Sequence, residues 1–316
     1  KYLFSKDILK SKNDLEKIDI FFARSNILHI QRKYIESSKL LQKANNLKIK
    51  LRPFNPEYLI KKSKNLLIES NKQVINSNQF GNNHENIFIV GMPRSGTTLV
   101  ESIISINKNV MDLGETNILE ESFLESKNVS KKMSLAEIYA NKINRFNSKF
   151  PITTNKWLYN YLYAGIIANQ LPNSKIIYCF RNPLDNILSI YRAHFGFGNE
   201  YSSSIKNCAN VFLNHEEIID IYIKQYPSKI YNLNYDLLVT SPNQQIKLLV
   251  NWLGWKWDNI YLKPHKNQRS VSTASNVQIR SPINSKSIGG WRNYKNMLEP
   301  AIEILKKTEK YQNLTD

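Results

Sequence analysis

Cysteine is scarce. In 316 residues there are two, Cys179 and Cys208, too few for a disulfide framework, and no Cys/His cluster has the spacing of a metal site. Such usage fits a reducing compartment, and a cytoplasmic setting is expected. Long apolar runs are also missing. None approaches the ~18–20 residues of a membrane span, and no charged-then-apolar stretch of the signal-peptide kind opens the sequence, whose first residue is Lys1 rather than Met. Acidic residues are outnumbered, 26 Asp and Glu against 44 Lys and Arg, for a formal net charge of +18. That excess favours anionic partners such as a nucleotide, an acidic peptide or a glycan. What the basic residues do not form is a compact run with interleaved aromatics, so a nucleic-acid groove is not expected. A hydrophobic content of 41% with 11% aromatics supports a folded core.

Another absence falls inside the most informative stretch, Asn86-Ile87-Phe88-Ile89-Val90-Gly91-Met92-Pro93-Arg94-Ser95-Gly96-Thr97-Thr98-Leu99-Val100-Glu101-Ser102. A short apolar, β-branched run stops at a glycine, a polar turn follows, and apolar residues return at helical spacing. This reads as strand, phosphate-cradling loop and helix. An NTP-hydrolysing loop of this outline carries Lys after its second glycine, to grip the β/γ-phosphates. Here Thr97 stands in that place. The cation sits within the turn as Arg94, so backbone N–H groups, a helix N-terminus and a guanidinium still converge on an anion. Ser95, Gly96, Thr97 and Thr98 complete the cradle.

Residues 1–75 read as helical. The segment around Leu28, Tyr34, Ser37, Leu41 and Ala44 has the bulky and small positions of one tetratricopeptide (TPR) helix pair, which cannot bury its own apolar face. A peptide-binding platform, a homodimer contact or a packing role are all open for it. Residues 76–85 read as a polar linker and 86–316 as an α/β domain. Strand-like pieces at Val110–Thr116, Ile152–Trp157 and Lys175–Arg181 alternate with helices. The spacing predicts a mainly parallel sheet flanked by helices, with ligands at the carboxyl ends of the strands. Cys179 falls in a buried strand and Cys208 in a helix, and His194 and His215 are read as helical and structural.

Arg181 closes its strand in an Arg-x-Pro-x-Asp-x-x-x-Ser pattern that ends at Ser189, a pairing able to hold one phosphate by charge and by a directed hydroxyl. Later come Ser275-Asn276-Val277-Gln278-Ile279-Arg280-Ser281-Pro282 and Ser285-Lys286-Ser287-Ile288-Gly289-Gly290-Trp291. With the Pro-Arg-Ser-Gly-Thr-Thr-Leu loop, these motifs resemble the sulfotransferases that use 3′-phosphoadenosine 5′-phosphosulfate (PAPS). The wording is nearest to the tyrosylprotein sulfotransferases and to bacterial sulfotransferases with a TPR region. The resemblance implies the P-loop-like sulfotransferase fold, PAPS as donor without a metal, and an acceptor hydroxyl on a protein tyrosine, glycan or small molecule. It also implies roles. Glu115 would be the catalytic base, Lys156 the catalytic lysine and Arg94 the residue facing the leaving bisphosphate. Arg181 and Ser189 would take the 3′-phosphate, with Tyr235, Ser275, Gln278, Arg280 and Lys286 around the nucleotide. Two departures stand out: Ala193 where the tyrosylprotein enzymes have a further Arg, with Arg192 adjacent, and Gly290 where they have a lysine before the tryptophan. The alternatives are a P-loop small-molecule kinase and a nucleotide-binding TPR adaptor without turnover.

Overall fold

The computed structural model of the chain describes residues 2–5, 7–71, 84–128, 133–146, 150–267 and 280–315. Its contacts divide it into two compact units, each assembled from separate stretches of sequence. One comprises Lys61–Arg181 and His215–Ser285, the other Lys1–Ile60, Asn182–Asn214 and Lys286–Asp316.

The first unit is built on five strands, β1 (Glu85–Val90), β2 (Val110–Asp112), β3 (Ile152–Asn155), β4 (Ser174–Phe180) and β5 (Ile230–Asn234). They lie in the order β2-β3-β1-β4-β5, and every pairing is parallel. Because strand side chains alternate between faces, the apolar runs of β1 and β4 supply both. Phe88, Val90, Ile176 and Tyr178 enter one core with Leu119, Tyr139, Ile166, Ile167, Ile219 and Tyr222. Ile87, Ile89, Ile177 and Cys179 enter the other with Val100, Ile103, Ile104, Leu249 and Val250. That is why these two strands read as continuous hydrophobic runs: parallel strands covered on both faces have no polar side. The helices of the first core are α5 (Ile118–Ser126), α6 (Leu135–Asn144), α7 (Ala164–Gln170) and part of α9 (Ile205–Gln225). Those of the second are α4 (Thr97–Ile104), α10 (Tyr235–Thr240) and α11 (Pro242–Leu253). The helix α3 (Glu57–Asn71) contributes Leu66 to the first core.

The structure trims some expectations. The expected strand at Val110–Thr116 keeps only Val110–Asp112 as strand; Leu113 and Gly114 stay bonded to the end of β3 by one backbone bond each, and Gly114 at φ +62° ends the run. The expected helix leading to Gln170 begins as a 3-10 turn, Leu158–Tyr163, and becomes α-helical at Ala164.

In the second unit α1 (Asp14–Ile30) and α2 (Tyr34–Leu51) form a helix pair. Asn13 caps α1 in a reciprocal capping box with Glu16. Leu28, Ser37, Leu41 and Ala44 are buried, and Ser25 and Ser37 bond each other's hydroxyls and carbonyls. The small residues thus let the two helices approach closely. The pair does not stand alone. Asn45 Nδ2 donates to the Tyr191 carbonyl at 3.1 Å, and the Tyr294 hydroxyl meets Ser37 Oγ at 3.0 Å and His29 Nδ1 at 2.9 Å. Burial and the Arg192 charge bring the His29 pKa down to about 4, so this imidazole is neutral at physiological pH. The same unit holds α8 (Pro183–Arg192) and α12 (Lys295–Leu305).

Candidate active site

Each of the five strands delivers a site residue just beyond its carboxyl end. The phosphate loop follows β1, Glu115 follows β2, Lys156 follows β3, Arg181 follows β4 and Tyr235 follows β5. This is the edge at which open parallel sheets bind ligands.

The loop after β1 depends on two glycines. A side chain at Gly91 would collide with the Cys179 carbonyl of β4 and with Ser95 Oγ. One at Gly96 would overlap the Tyr235 ring, and Gly96 caps α4 at φ +97°. Arg94 adopts φ +68°, unusual for a side-chain-bearing residue. Ser95 is 1% exposed, and its hydroxyl has no hydrogen-bond partner among the described residues. A buried hydroxyl without a partner is costly, and this one lies in a loop shaped by glycine next to the first turn of α4, whose N–H groups have no intrahelical carbonyl. The cradle therefore fits an oxyanion. Gly96→Ala is expected to lower stability by more than ~1 kcal/mol, since both φ and the ring oppose a methyl group. A depressed thermal midpoint would register this.

Glu115 and Lys156 are brought together by adjacent strands although 41 residues separate them in sequence. The β2–β3 ladder continues past its last paired residues. Leu113 N–H donates to the Thr154 carbonyl at 2.8 Å and Lys156 N–H to the Gly114 carbonyl at 2.9 Å. Asn155 locks the turn further, its Nδ2 donating to the Thr116 carbonyl and Oγ1, both at 3.2 Å, while its Oδ1 accepts from Trp157 N–H and Asn160 Nδ2. On this frame Lys156 Nζ donates to Glu115 Oε1 at 2.7 Å. The lysine side chain is 0% exposed and the glutamate 32%. A buried cation thus stands behind a carboxylate that faces outward, the arrangement needed for a base that meets substrate.

Arg181 is 7% exposed. Its Nη1 donates to the Arg94 carbonyl at 3.4 Å, and its guanidinium lies 4.7 Å from the centre of the Tyr235 ring. That contact, worth ~0.5–2 kcal/mol, ties the loop after β4 to α10. Tyr235 therefore abuts Gly96 and Arg181 at once. Asn234 places it by capping α10 with bonds from Asp236 and Leu237 N–H groups.

The remaining candidates are placed as follows. Arg280 donates to the Asn267 carbonyl at 2.8 Å and is exposed. In the other unit, Ser189 lies on α8, Lys286 is exposed before the Gly289-Gly290 turn, and Arg192 lies 5.9 Å from the centre of the Tyr294 ring. Ser275 and Gln278 lie outside the described residues. His194 falls just past α8 rather than within a helix, because Ala193 ends it in an extended conformation. His215 is on α9, packed edge-on against Tyr161.

Sequence reasoning passed over two residues. Asp185 accepts from Gly289 N–H at 2.7 Å and Trp291 N–H at 2.9 Å, so the Arg-x-Pro-x-Asp pattern anchors the Gly-Gly-Trp turn within its unit. Glu101 is a lone carboxylate in an otherwise uncharged helix, and that isolation was the available signal. It is 6% exposed, and burial raises its pKa to about 7, with Asp112 and Glu115 acting in the same direction and Lys156 and the Thr154 hydroxyl opposing.

A parallel sheet with a lysine-free, glycine-shaped loop after its central strand and a Glu–Lys pair after a neighbouring one gathers these residues at the carboxyl edge of the strands. The chain belongs to the sulfotransferase domain family, whose model matches residues 84–313. An uncharacterised protein of Aquifex aeolicus is 31% identical over 254 residues, covering 73% of this chain and 33% of that one. The protein-tyrosine sulfotransferase of Drosophila melanogaster is 23% identical over 235 residues, covering 65% and 46%. The chain thus spans a third to a half of these relatives. Among solved structures, the sulfotransferase domain of the Synechococcus PCC 7002 olefin synthase superposes with a TM-score of 0.51 at 17% identity, covering 70% of this chain and 91% of that one, a likeness of fold.

Proposed function

We propose that the chain transfers the sulfuryl group of PAPS to an acceptor hydroxyl. The observation that carries this reading is the Glu115–Lys156 pair at 2.7 Å, beside a phosphate loop that has no Walker lysine but carries Arg94 and a buried Ser95 hydroxyl with no hydrogen-bond partner among the described residues. PAPS supplies an activated sulfuryl group on a phosphate leaving group. Arg94, Ser95, the N–H groups opening α4 and the hydroxyls of Thr97 and Thr98 bind the phosphosulfate end, and Arg181 takes the 3′-phosphate, the role its sequence pattern assigns together with Ser189. Glu115 accepts the acceptor's O–H proton as the acceptor oxygen bonds to sulfur. The sulfur–oxygen bond to phosphate breaks, its electron pair stays on the phosphate oxygen, and Lys156 and Arg94 face that charge. No step calls for a metal. No group of three or more His, Cys, Asp or Glu able to hold one occurs among the described residues.

The net charge of +18 and the protein-tyrosine sulfotransferase relatives favour an acceptor of acidic character, a tyrosine peptide or a glycan. The α1/α2 pair is read as TPR-like, available for a partner or a second copy, and the placement as cytoplasmic, in keeping with two free, buried cysteines.

Two measurements test the reading. Calorimetry should show adenosine 3′,5′-bisphosphate binding far more tightly than AMP, and Arg181→Ala should weaken it by ~1.5–3 kcal/mol, the worth of a charged hydrogen bond. Equal affinity for the two nucleotides would remove the second phosphate site. Radiolabelled PAPS offered to pools of acidic tyrosine peptides, glycans and phenols should label one of them.

A further inference from the structure

The Glu115–Lys156 pair leaves one difficulty. When Glu115 takes up the acceptor proton it ceases to be an anion, and the fully buried Lys156 ammonium loses its counter-charge as it must hold its place. Uncompensated buried cations move or lose their proton. Next to this pair lies a carboxylate the proposed chemistry leaves unused.

Glu101 sits on α4 one helical turn after Thr97. Thr154 Oγ1 donates to its Oε1 at 3.3 Å. Thr154 and Lys156 are two residues apart on one β-strand and its extension, which points them to the same face, and Asp112 is the cross-strand partner of Thr154. The charged groups that reach Glu101 are Lys156 at the end of β3, Asp112 in β2 and Glu115 in the turn beyond it. The 3-10 turns Asn259–Leu262 and Pro264–Lys266 also pack on α4 and carry Tyr261, His265 and Lys266.

Resting on the proposed base role of Glu115, we propose that Glu101 is a positioning residue for sulfuryl transfer, a buried second counter-ion that holds the Lys156 ammonium while Glu115 carries the acceptor's proton. The coupling has a definite sign. Ionised Glu115 is one of the influences that keep Glu101 protonated. Once Glu115 is neutral that repulsion ends, the Lys156 attraction remains, and Glu101 ionises more readily. Where Glu101 is already ionised, a negative charge therefore still faces the lysine after Glu115 has taken up the proton. As pH rises through about 7, Glu101 passes from neutral acid to anion, so the transfer rate should rise through that window.

The test compares Glu101→Gln, Glu101→Asp and Glu115→Gln with wild type. Glutamates carrying a ¹³C carboxyl label are followed by NMR, which needs no acceptor. One carboxyl should titrate near pH 7 in wild type, vanish from that range in Glu101→Gln, and move to lower pH in Glu115→Gln. In single turnovers with radiolabelled PAPS and the labelled acceptor pool, Glu101→Gln should lose about tenfold or more of the transfer rate and the inflection near pH 7. It should keep its affinity for adenosine 3′,5′-bisphosphate, and Glu101→Asp should restore part of the rate. Thermal midpoints separate a folding role. The raised pKa means that the folded chain holds a proton the unfolded chain has released between about 4.5 and 7. Wild type should therefore lose stability across that window relative to Glu101→Gln. A carboxyl indifferent to Glu115→Gln, or a Glu101→Gln variant with the wild-type rate and pH profile, overturns the proposal. Wild type that binds no bisphosphate would instead overturn the sulfotransferase reading while leaving the NMR result to stand or fall alone.

Discussion

Glu115→Gln is expected to cut sulfuryl transfer by about two to four orders of magnitude, the usual share of a positioned general base, while the affinity for adenosine 3′,5′-bisphosphate stays within about twofold of wild type. The backbone frame explains the selectivity. The turn bearing residue 115 is held by the Lys156 N–H bond to the Gly114 carbonyl and by the Asn155 side chain, neither of which involves the Glu115 carboxylate. An amide can still accept from Lys156 Nζ but cannot take a proton. The variant does leave a buried ammonium with less counter-charge, a class of change that costs several kcal/mol when nothing else compensates. Glu101 and Asp112 lie within electrostatic reach of the site, and the loss of stability should be smaller. Rapid-quench transfer assays alongside calorimetry decide the matter. A variant within tenfold of the wild-type rate would place the base elsewhere.

Arg94→Gly should separate function from backbone strain. The residue adopts φ +68°, which costs a side-chain-bearing residue on the order of 1–2 kcal/mol and a glycine nothing. Greater freedom of glycine in the unfolded chain offsets part of that gain, so the thermal midpoint should stand at or above that of Arg94→Ala, which loses the same side chain at the same φ. The Arg181 hydrogen bond to residue 94 goes to its carbonyl and survives. What disappears is the guanidinium. Affinity for the bisphosphate should fall by ~1.5–3 kcal/mol, and transfer should fall by a further ~10²–10³, because a fixed cation matters most where charge develops. Arg94→Ala should lose as much activity without the gain in backbone ease. Denaturation midpoints set beside single-turnover rates for the two variants provide the comparison.

Much of this site can be read along the chain because its requirements are local. A glycine is demanded where Gly96 meets the Tyr235 ring at positive φ, and apolar spacing announces β1 and α4 on either side. Arg181 closing a buried strand before Asn182-Pro183 is similarly local, since Asn182 caps α8 directly. Glu115 and Lys156 carry no local signature. Only their resemblance to family motifs proposed them, and the register of β2 beside β3 supplies the physical reason. The helix expected up to Gln170 is α-helical only from Ala164, and the reading of His194 as helical failed, where a 3-10 turn and an extended cap compete with the α-helix at small energetic cost. Glu101 stands out along the chain as the one charge in an apolar helix, but what it faces becomes visible only once the sheet shows what lies opposite. Nor does a linear division of the chain reveal that Asn182–Asn214 belongs with the N-terminal helices, because compact units are defined by contacts between distant stretches.

The sheet order has a consequence for how such a protein can diversify. The excursion holding α5 and α6 leaves from β2 and returns on β3, its immediate neighbour at one margin of the sheet. Its length and surface can change while both anchor points stay put, and the central strand with its nucleotide grip never has to be re-threaded. Such a layout lets one flank of the sheet vary in length and surface while the loop after the central strand keeps its place.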